Sequence, residues 1–151
     1  MDQPLLVLLL PTRLERFQLR EQTQALLHAP GVVAVDPSRL PLERLPETLA
    51  AGLAIGQAKR MRLPGRPAAV AIFHPVQFFL AGALLARHGG AELWYGRPDL
   101  ELGAHAELDT TAAERAALTG TPEQLLALAP LRMAELGIPD AFSASRSGPA
   151  G

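Results

Sequence analysis

Leu5 to Leu10 is an unbroken apolar run shut in by Pro4 and Pro11. It has no polar face at a 3.6-residue period, so it does not read as an amphipathic surface helix. It is also far short of the roughly 20 residues that cross a bilayer. What remains is a short strand buried on both faces, and such strands belong to parallel sheets covered by helices. A parallel strand needs a crossover of about a dozen residues before its neighbour, usually a helix. The rest of the chain is therefore expected to alternate.

It does so. Val32 to Val35 is closed by Asp36-Pro37, Ala68 to Phe73 by His74-Pro75, and Ala91 to Tyr95 by Gly96. Thr12, with Glu15 three residues on, fits a capping box, which predicts a helix to about His28 with Leu14, Phe17 and Leu27 inward. Pro30-Gly31 ends it. A second helix is expected from about Leu42 to Met61, where Leu45, Leu49, Leu53 and Gly56 repeat at near-helical spacing. Gly52 and Gly56 there would let another element approach closely. A third helix runs from Val76 to His88, stopped at Gly89-Gly90. Gly96 to Asp109 reads as an acidic loop, and Thr111 with Glu114 opens a short helix to Leu118. Thr121-Pro122-Glu123-Gln124 is a strong helix start. Pro130 should kink or split that last helix, which Gly137-Ile138-Pro139 ends. Residues from Phe142 onward read as a frayed tail.

The expected order is thus β-α-β-α-β-α-β-α-α. This is an α/β, three-layer Rossmann-like domain over residues 1–140, with a mostly parallel, doubly wound sheet, and a tail over 141–151.

Composition closes off whole classes of function. A net charge of −1 excludes nucleic-acid binding by bulk charge. The absence of cysteine excludes a disulfide scaffold, a thiolate zinc site and a cysteine nucleophile. The early apolar run has no basic residue before it, so no secretory signal is expected and a cytoplasmic location is the default. Pro11-Thr12-Arg13-Leu14-Glu15-Arg16 follows the first strand where a dinucleotide fingerprint would be glycine-rich, and no other nucleotide, hydrolase or zinc-protease motif occurs. No cofactor is expected. His105, Glu107 and Asp109 alternate as metal-ligand types, but a polar loop looks the same, and no metal is assigned.

Open α/β sheets bind ligands beyond the carboxyl ends of their strands. Here those positions hold Thr12 and Arg13, then Asp36, then His74, then Gly96, Arg97 and Asp99. His74 and Asp99 are the candidate catalytic groups; Arg13, Asp36 and Arg97 are the candidate substrate contacts. Two guanidinium groups, an imidazole and two carboxylates suit a polyol or an anion. Bland readings stand beside these: Asp36 before Pro37 is a turn former, His74 before Pro75 a hydrogen-bonded loop histidine, Arg13 and Arg97 surface residues. Lys59, Arg60 and Arg62, with Arg66 nearby, form the one basic cluster. It reads as a solvated helix end or as a weak contact for anionic surfaces such as lipid headgroups.

Three stretches together resemble the N-terminal, acceptor-side half of a two-domain glycosyltransferase of the GT-B, family-4-like type. The first runs from Arg16-Phe17-Gln18-Leu19-Arg20-Glu21-Gln22 to Gly31-Val32-Val33-Ala34-Val35-Asp36-Pro37. The second pairs Ala71-Ile72-Phe73-His74-Pro75 with Ala91-Glu92-Leu93-Trp94-Tyr95-Gly96-Arg97-Pro98-Asp99. The third joins Ala113-Glu114-Arg115 and Thr119-Gly120-Thr121 to Leu136-Gly137-Ile138-Pro139, where such enzymes place a helix, a short strand, a capped helix and an exit turn. The resemblance implies a Rossmann-like fold that holds a sugar or lipid-linked acceptor, while a second domain binds the nucleotide sugar. It puts His74 and Asp99 on the cleft, Arg13 near acceptor or donor phosphates, and the cluster from Lys59 on a membrane-facing patch. The family's pair of glutamates eight residues apart belongs to the other half and is absent here. This half is not expected to transfer sugar alone. Two other readings stand: a small α/β binding or regulatory module without catalysis, and a small hydrolase or phosphatase using Asp36 or His74.

Overall fold

The computed structural model describes residues 3–36, 45–99 and 103–139. Its centre is a five-stranded sheet: β1 (Pro4–Leu9), β2 (Val32–Val35), β3 (Arg66–Ile72), β4 (Glu92–Gly96) and β5 (Leu118–Gly120). All four pairings are parallel, in the order β2-β1-β3-β4-β5. The helices are α1 (Arg20–Leu27), α2 (Glu47–Arg60), α3 (Phe78–Arg87), α4 (Ala106–Arg115) and α5 (Pro122–Glu135). This is a three-layer, doubly wound, Rossmann-like arrangement, and its strand order is the one found in flavodoxin-like sheets.

Side-chain alternation along each strand sorts the core into two halves. Leu6, Leu8, Ala71 and Trp94 face α1 and α5, packing on Leu26, Leu125, Ala129 and Met133. Val7, Leu9, Val70, Ile72 and Tyr95 face α2, α3 and α4, packing on Ala54, Ala58, Leu80, Leu84 and Ala112. The apolar run from Leu5 to Leu10 is buried throughout, as a central strand covered on both faces must be. Buried Trp94 keeps its indole N–H satisfied by donating to Glu92 Oε1 at 2.8 Å. Arg132 of α5 grips both oxygens of that carboxylate at 2.7 Å each, fastening α5 to the amino end of β4. The Arg132 hydrogen bonds hold the Glu92 carboxyl below its ordinary range.

Several local expectations need correction. Thr12 caps no helix: its hydroxyl donates to Arg13 O, residues 14–16 form a 3-10 turn, and α1 begins only at Arg20. The third helix starts as a 3-10 turn over Pro75–Gln77 before α3 proper. The acidic loop ends early, because α4 already begins at Ala106. Thr111 lies inside that helix, its hydroxyl bonded to Glu107 O at 3.0 Å. The short helix expected to reach Leu118 ends at Arg115, and Leu118 instead opens edge strand β5. Pro130 does not split α5, which runs unbroken from Pro122 to Glu135. Pro130 sits on the exposed side, while Leu125, Leu126, Ala129 and Met133 seat both halves on the sheet. The capping box at Thr121 forms as expected, with Gln124 N donating to Thr121 Oγ1 and Thr121 N to Gln124 Oε1. Part of the expected second helix, and the tail from Phe142, lie outside the described residues.

The second helix carries the largest correction. Its buried residues are Ala50, Ala54 and Ala58, while Leu49 is 51% exposed and Ile55 50%. A methyl-sized stripe, one position on from the leucines, lets α2 lie close to the sheet and α3. The glycines do not serve that approach, since a Cβ at Gly52 would meet nothing within 4 Å. Ala54→Leu should therefore cost about 1–3 kcal/mol by overpacking, whereas Leu49→Ser should stay within about 0.5 kcal/mol of the parent. Urea denaturation of the two variants checks the assignment; the reverse ranking would refute it.

Candidate functional site

The order β2-β1-β3 places a topological switch point between β1 and β3. The chain leaves β1 toward α1 on one face of the sheet and leaves β3 toward α3 on the other. Ligands of doubly wound sheets bind in the crevice outside that point. Arg13, Asp36, His74, Arg97 and Asp99 all stand at this carboxyl edge, just past the ends of β1, β2, β3 and β4. Arg13, Asp36, Arg97 and Asp99 are exposed, and His74 is partly buried.

His74 is the best-held of them. Its Nδ1 accepts the Val76 N–H at 3.1 Å. Gln77 closes the same turn in reverse, its Oε1 accepting Phe73 N–H at 2.7 Å and His74 N–H at 3.1 Å. Gln77 Nε2 then donates to Leu9 O at 2.8 Å, tying the end of β3 to the end of β1. The His74 ring meets the His105 ring edge-on, with centroids 5.6 Å apart and planes at 74°. His105 Nδ1 lies 3.7 Å from Glu47 Oε1 in the first turn of α2. Two imidazoles and a carboxylate thus gather beside the switch point, drawn from three separate segments.

Arg97 is turned to a different task. Its guanidinium forms a fork onto Asp109 of α4, with Nε 3.2 Å from Oδ1 and Nη2 on Oδ2. Tyr95, fully buried, donates its hydroxyl to Asp109 Oδ1 at 2.7 Å. The Arg97 hydrogen bonds hold the Asp109 carboxyl below its ordinary range, against the opposing effect of burial. Burial, then the Asp109 hydrogen bond, pushes the Tyr95 hydroxyl upward. Asp109 and His105 lie four residues apart at the start of α4, so one side of that segment serves both clusters.

The remaining candidates stay apart. Arg13 makes no side-chain cap on the 3-10 turn that follows it. Lys59 and Arg60 end α2, Arg62 lies in the connection after it, and Arg66 begins β3. That puts the basic cluster at the amino edge of the sheet, the opposite end from His74. The metal-ligand types after Gly103 disperse: His105 meets His74, Asp109 meets Arg97, and Glu107 is exposed. Among the described residues no three such side chains are placed to hold an ion, and no helix is long and apolar enough to cross a membrane.

Sequence reasoning missed Gln77, Tyr95, Asp109 as an anchor, and Glu47. Gln77 did have a signal, since His74-Pro75-Val76-Gln77 is a capping-box frame with histidine in place of serine or threonine. Arg97 and Asp109 meet across twelve positions of sequence, and no local pattern announces such a pair. Comparison with known proteins adds no relative: no protein-family model, no curated protein and no solved structure matches the chain.

Proposed function

We propose that this domain is the acceptor-binding half of a glycosyltransferase-like pair. Its carboxyl edge forms one wall of a cleft, and a nucleotide-sugar-binding domain, on another chain or in a longer product, supplies the other. The observation that carries the reading is the gathering of His74, His105 and Glu47 beside the switch point, with Arg97 at the end of the next strand. Imidazoles and carboxylates complement the hydroxyls of a sugar, and guanidinium groups complement an anionic substituent. The resemblance of the three sequence stretches to the acceptor side of GT-B enzymes points the same way. In this reading His74 and Asp99 face the reacting hydroxyl, and Arg13, Asp36 and Arg97 border the acceptor. Lys59, Arg60, Arg62 and Arg66, at the far edge, take no part in holding it. Any contact they make with an anionic surface is peripheral.

The division of labour is testable on the isolated chain. UDP-glucose and GDP-mannose should leave its melting temperature unchanged, and no sugar should pass from them to glucose or inositol. Sugar transfer by the chain unaided would overturn the reading. A second reading, a binding module without catalysis, is favoured by one observation: Arg97 is already engaged by Asp109 inside the fold. It expects His74→Ala and Asp99→Ala to leave ligand affinity unchanged, whereas the acceptor-half reading expects a loss of about tenfold from removing a hydrogen-bonding contact.

A further inference from the structure

We propose that Asp109 sets the ligand specificity of the carboxyl edge: by balancing the charge of Arg97 and holding its guanidinium along one side, it makes that group a contact for neighbouring hydroxyls of an uncharged polyol and not for a phosphate or carboxylate.

The inference starts from which atoms of Arg97 are already used. Its backbone N–H donates to Gly120 O at 2.8 Å, which ties the residue to β5 just past the end of β4. Its side chain meets Asp109 along one side only, with Nε 3.2 Å from Oδ1 and Nη2 on Oδ2. A guanidinium carries five N–H donors in a planar fork. The pairing uses one on Nε and one on Nη2. Both hydrogens of Nη1 and the second of Nη2 meet no acceptor among the described residues. The Arg97 side chain is half exposed while that of Asp109 is 7% exposed, so the unused side is the one left to a ligand.

The carboxylate is not free to turn away. Tyr95, buried, donates its hydroxyl to Oδ1 at 2.7 Å, and Asp109 lies on the buried side of α4 with Leu108 and Ala112. The Arg97 hydrogen bonds hold its carboxyl below the ordinary range, so it is charged at neutral pH. Arg97 therefore reaches the edge with its charge already answered. The sides of a planar guanidinium diverge by about 120°. An oxyanion on the unused side would lie less than twice as far from Asp109 as from the guanidinium, and repulsion would cancel more than half of the attraction. A hydroxyl meets no such opposition. Its lone pairs accept from Nη1 and Nη2, and two neighbouring hydroxyls match the paired donors.

The inference rests on the reading of the carboxyl edge as the ligand face and names the ligand class for it. The test follows the Arg97 Nε–H signal of the 15N-labelled full chain, assigned by its loss in Arg97→Gln, at neutral pH and low ionic strength. In the parent, inositol should move the signal and inorganic phosphate at the same concentration should not. In Asp109→Asn, phosphate should gain at least about threefold in affinity at Arg97, the scale of one half-exposed charge interaction. Inositol should show no such gain, and the phosphate gain should shrink in about 0.5 M NaCl. A change of packing alone would alter both ligands alike and would not respond to salt. If the asparagine variant does not fold, the parent decides: phosphate moving Arg97 as strongly as inositol overturns the assignment. An unchanged phosphate affinity in folded Asp109→Asn overturns it as well. Inositol shifts at His74 and Asp99 that spare Arg97 overturn it and leave the ligand face standing, whereas no shift anywhere along this edge removes both.

Discussion

Replacing Asp109 with alanine lowers the free energy of unfolding by about 2–4 kcal/mol, the combined cost of an orphaned buried hydroxyl and an emptied buried site. The hydroxyl is that of Tyr95, which lies fully buried and donates to Asp109 Oδ1 at 2.7 Å. Arg97 contributes less to the loss. Its side chain is 50% exposed, so its freed guanidinium turns to water. Asp109→Asn separates the two partners, because the amide oxygen still accepts from Tyr95; its cost should be smaller, about 1–2 kcal/mol. Urea denaturation at neutral pH measures both, and an alanine variant within about 0.5 kcal/mol of the parent would contradict the assignment.

Asp109 also gives the stability a pH dependence of known sign. Its folded carboxyl titrates below the ordinary range because Arg97 hydrogen-bonds the charged form. The unfolded chain therefore takes up that proton first. The resulting stabilisation is complete above the unfolded value near about pH 4, and it is lost as the pH falls through the depressed folded value. Glu92, lowered by Arg132, adds a contribution of the same sign. In Asp109→Asn the acid limb of a stability-versus-pH curve should be shallower than in the parent.

Gly31→Ala is the second large loss, about 2–4 kcal/mol if the chain after α5 is displaced. A Cβ at Gly31 would stand 2.7 Å from Ile138 Cγ2 and 2.8 Å from the backbone oxygen of Pro139. Neither is the far end of a long flexible side chain, so the strand start and the exit turn must part. Parting them exposes Ile138, only 2% exposed in the fold, whose burial is worth about 1.5–3 kcal/mol. It also breaks the bond from Gly31 N to Pro139 O at 3.0 Å, worth about 1 kcal/mol. Gly52→Ala is the control, because a Cβ there meets nothing within 4 Å and alanine favours a helix. A shift in urea midpoint for Gly31→Ala with none lost for Gly52→Ala is the expected pattern. Equal behaviour of the two would contradict the close approach.

These losses trace what the sequence could and could not disclose. β1 and β3 were legible because each holds an unbroken apolar run bounded by proline, and a strand buried on both faces has no other pattern to show; β4 was legible from Leu93-Trp94-Tyr95, set between Gly90 and Gly96. The start of α5 was legible because Thr121, Pro122 and Gln124 each serve a separate orphan amide or dihedral. β5 was not, because Leu118-Thr119-Gly120 is a short edge strand whose pairing with β4 comes from tertiary context. α2 misled because leucines catch the eye, while alanines make the contact. The region of the site followed from topology alone, since the ends of parallel strands fall on one edge. Its wiring did not: the Gln77–Leu9, His74–His105 and Arg97–Asp109 contacts join residues that are distant in sequence or carry no local signature.

The central claim is that the carboxyl edge of the sheet is the ligand face. A 1H–15N titration of the full chain with glucose, inositol and their phosphates tests it residue by residue. Shifts should concentrate at His74, His105, Arg97 and Asp99 and spare Lys59, Arg60, Arg62 and Arg66. Shifts confined to the basic amino edge, or none at any residue, would contradict it.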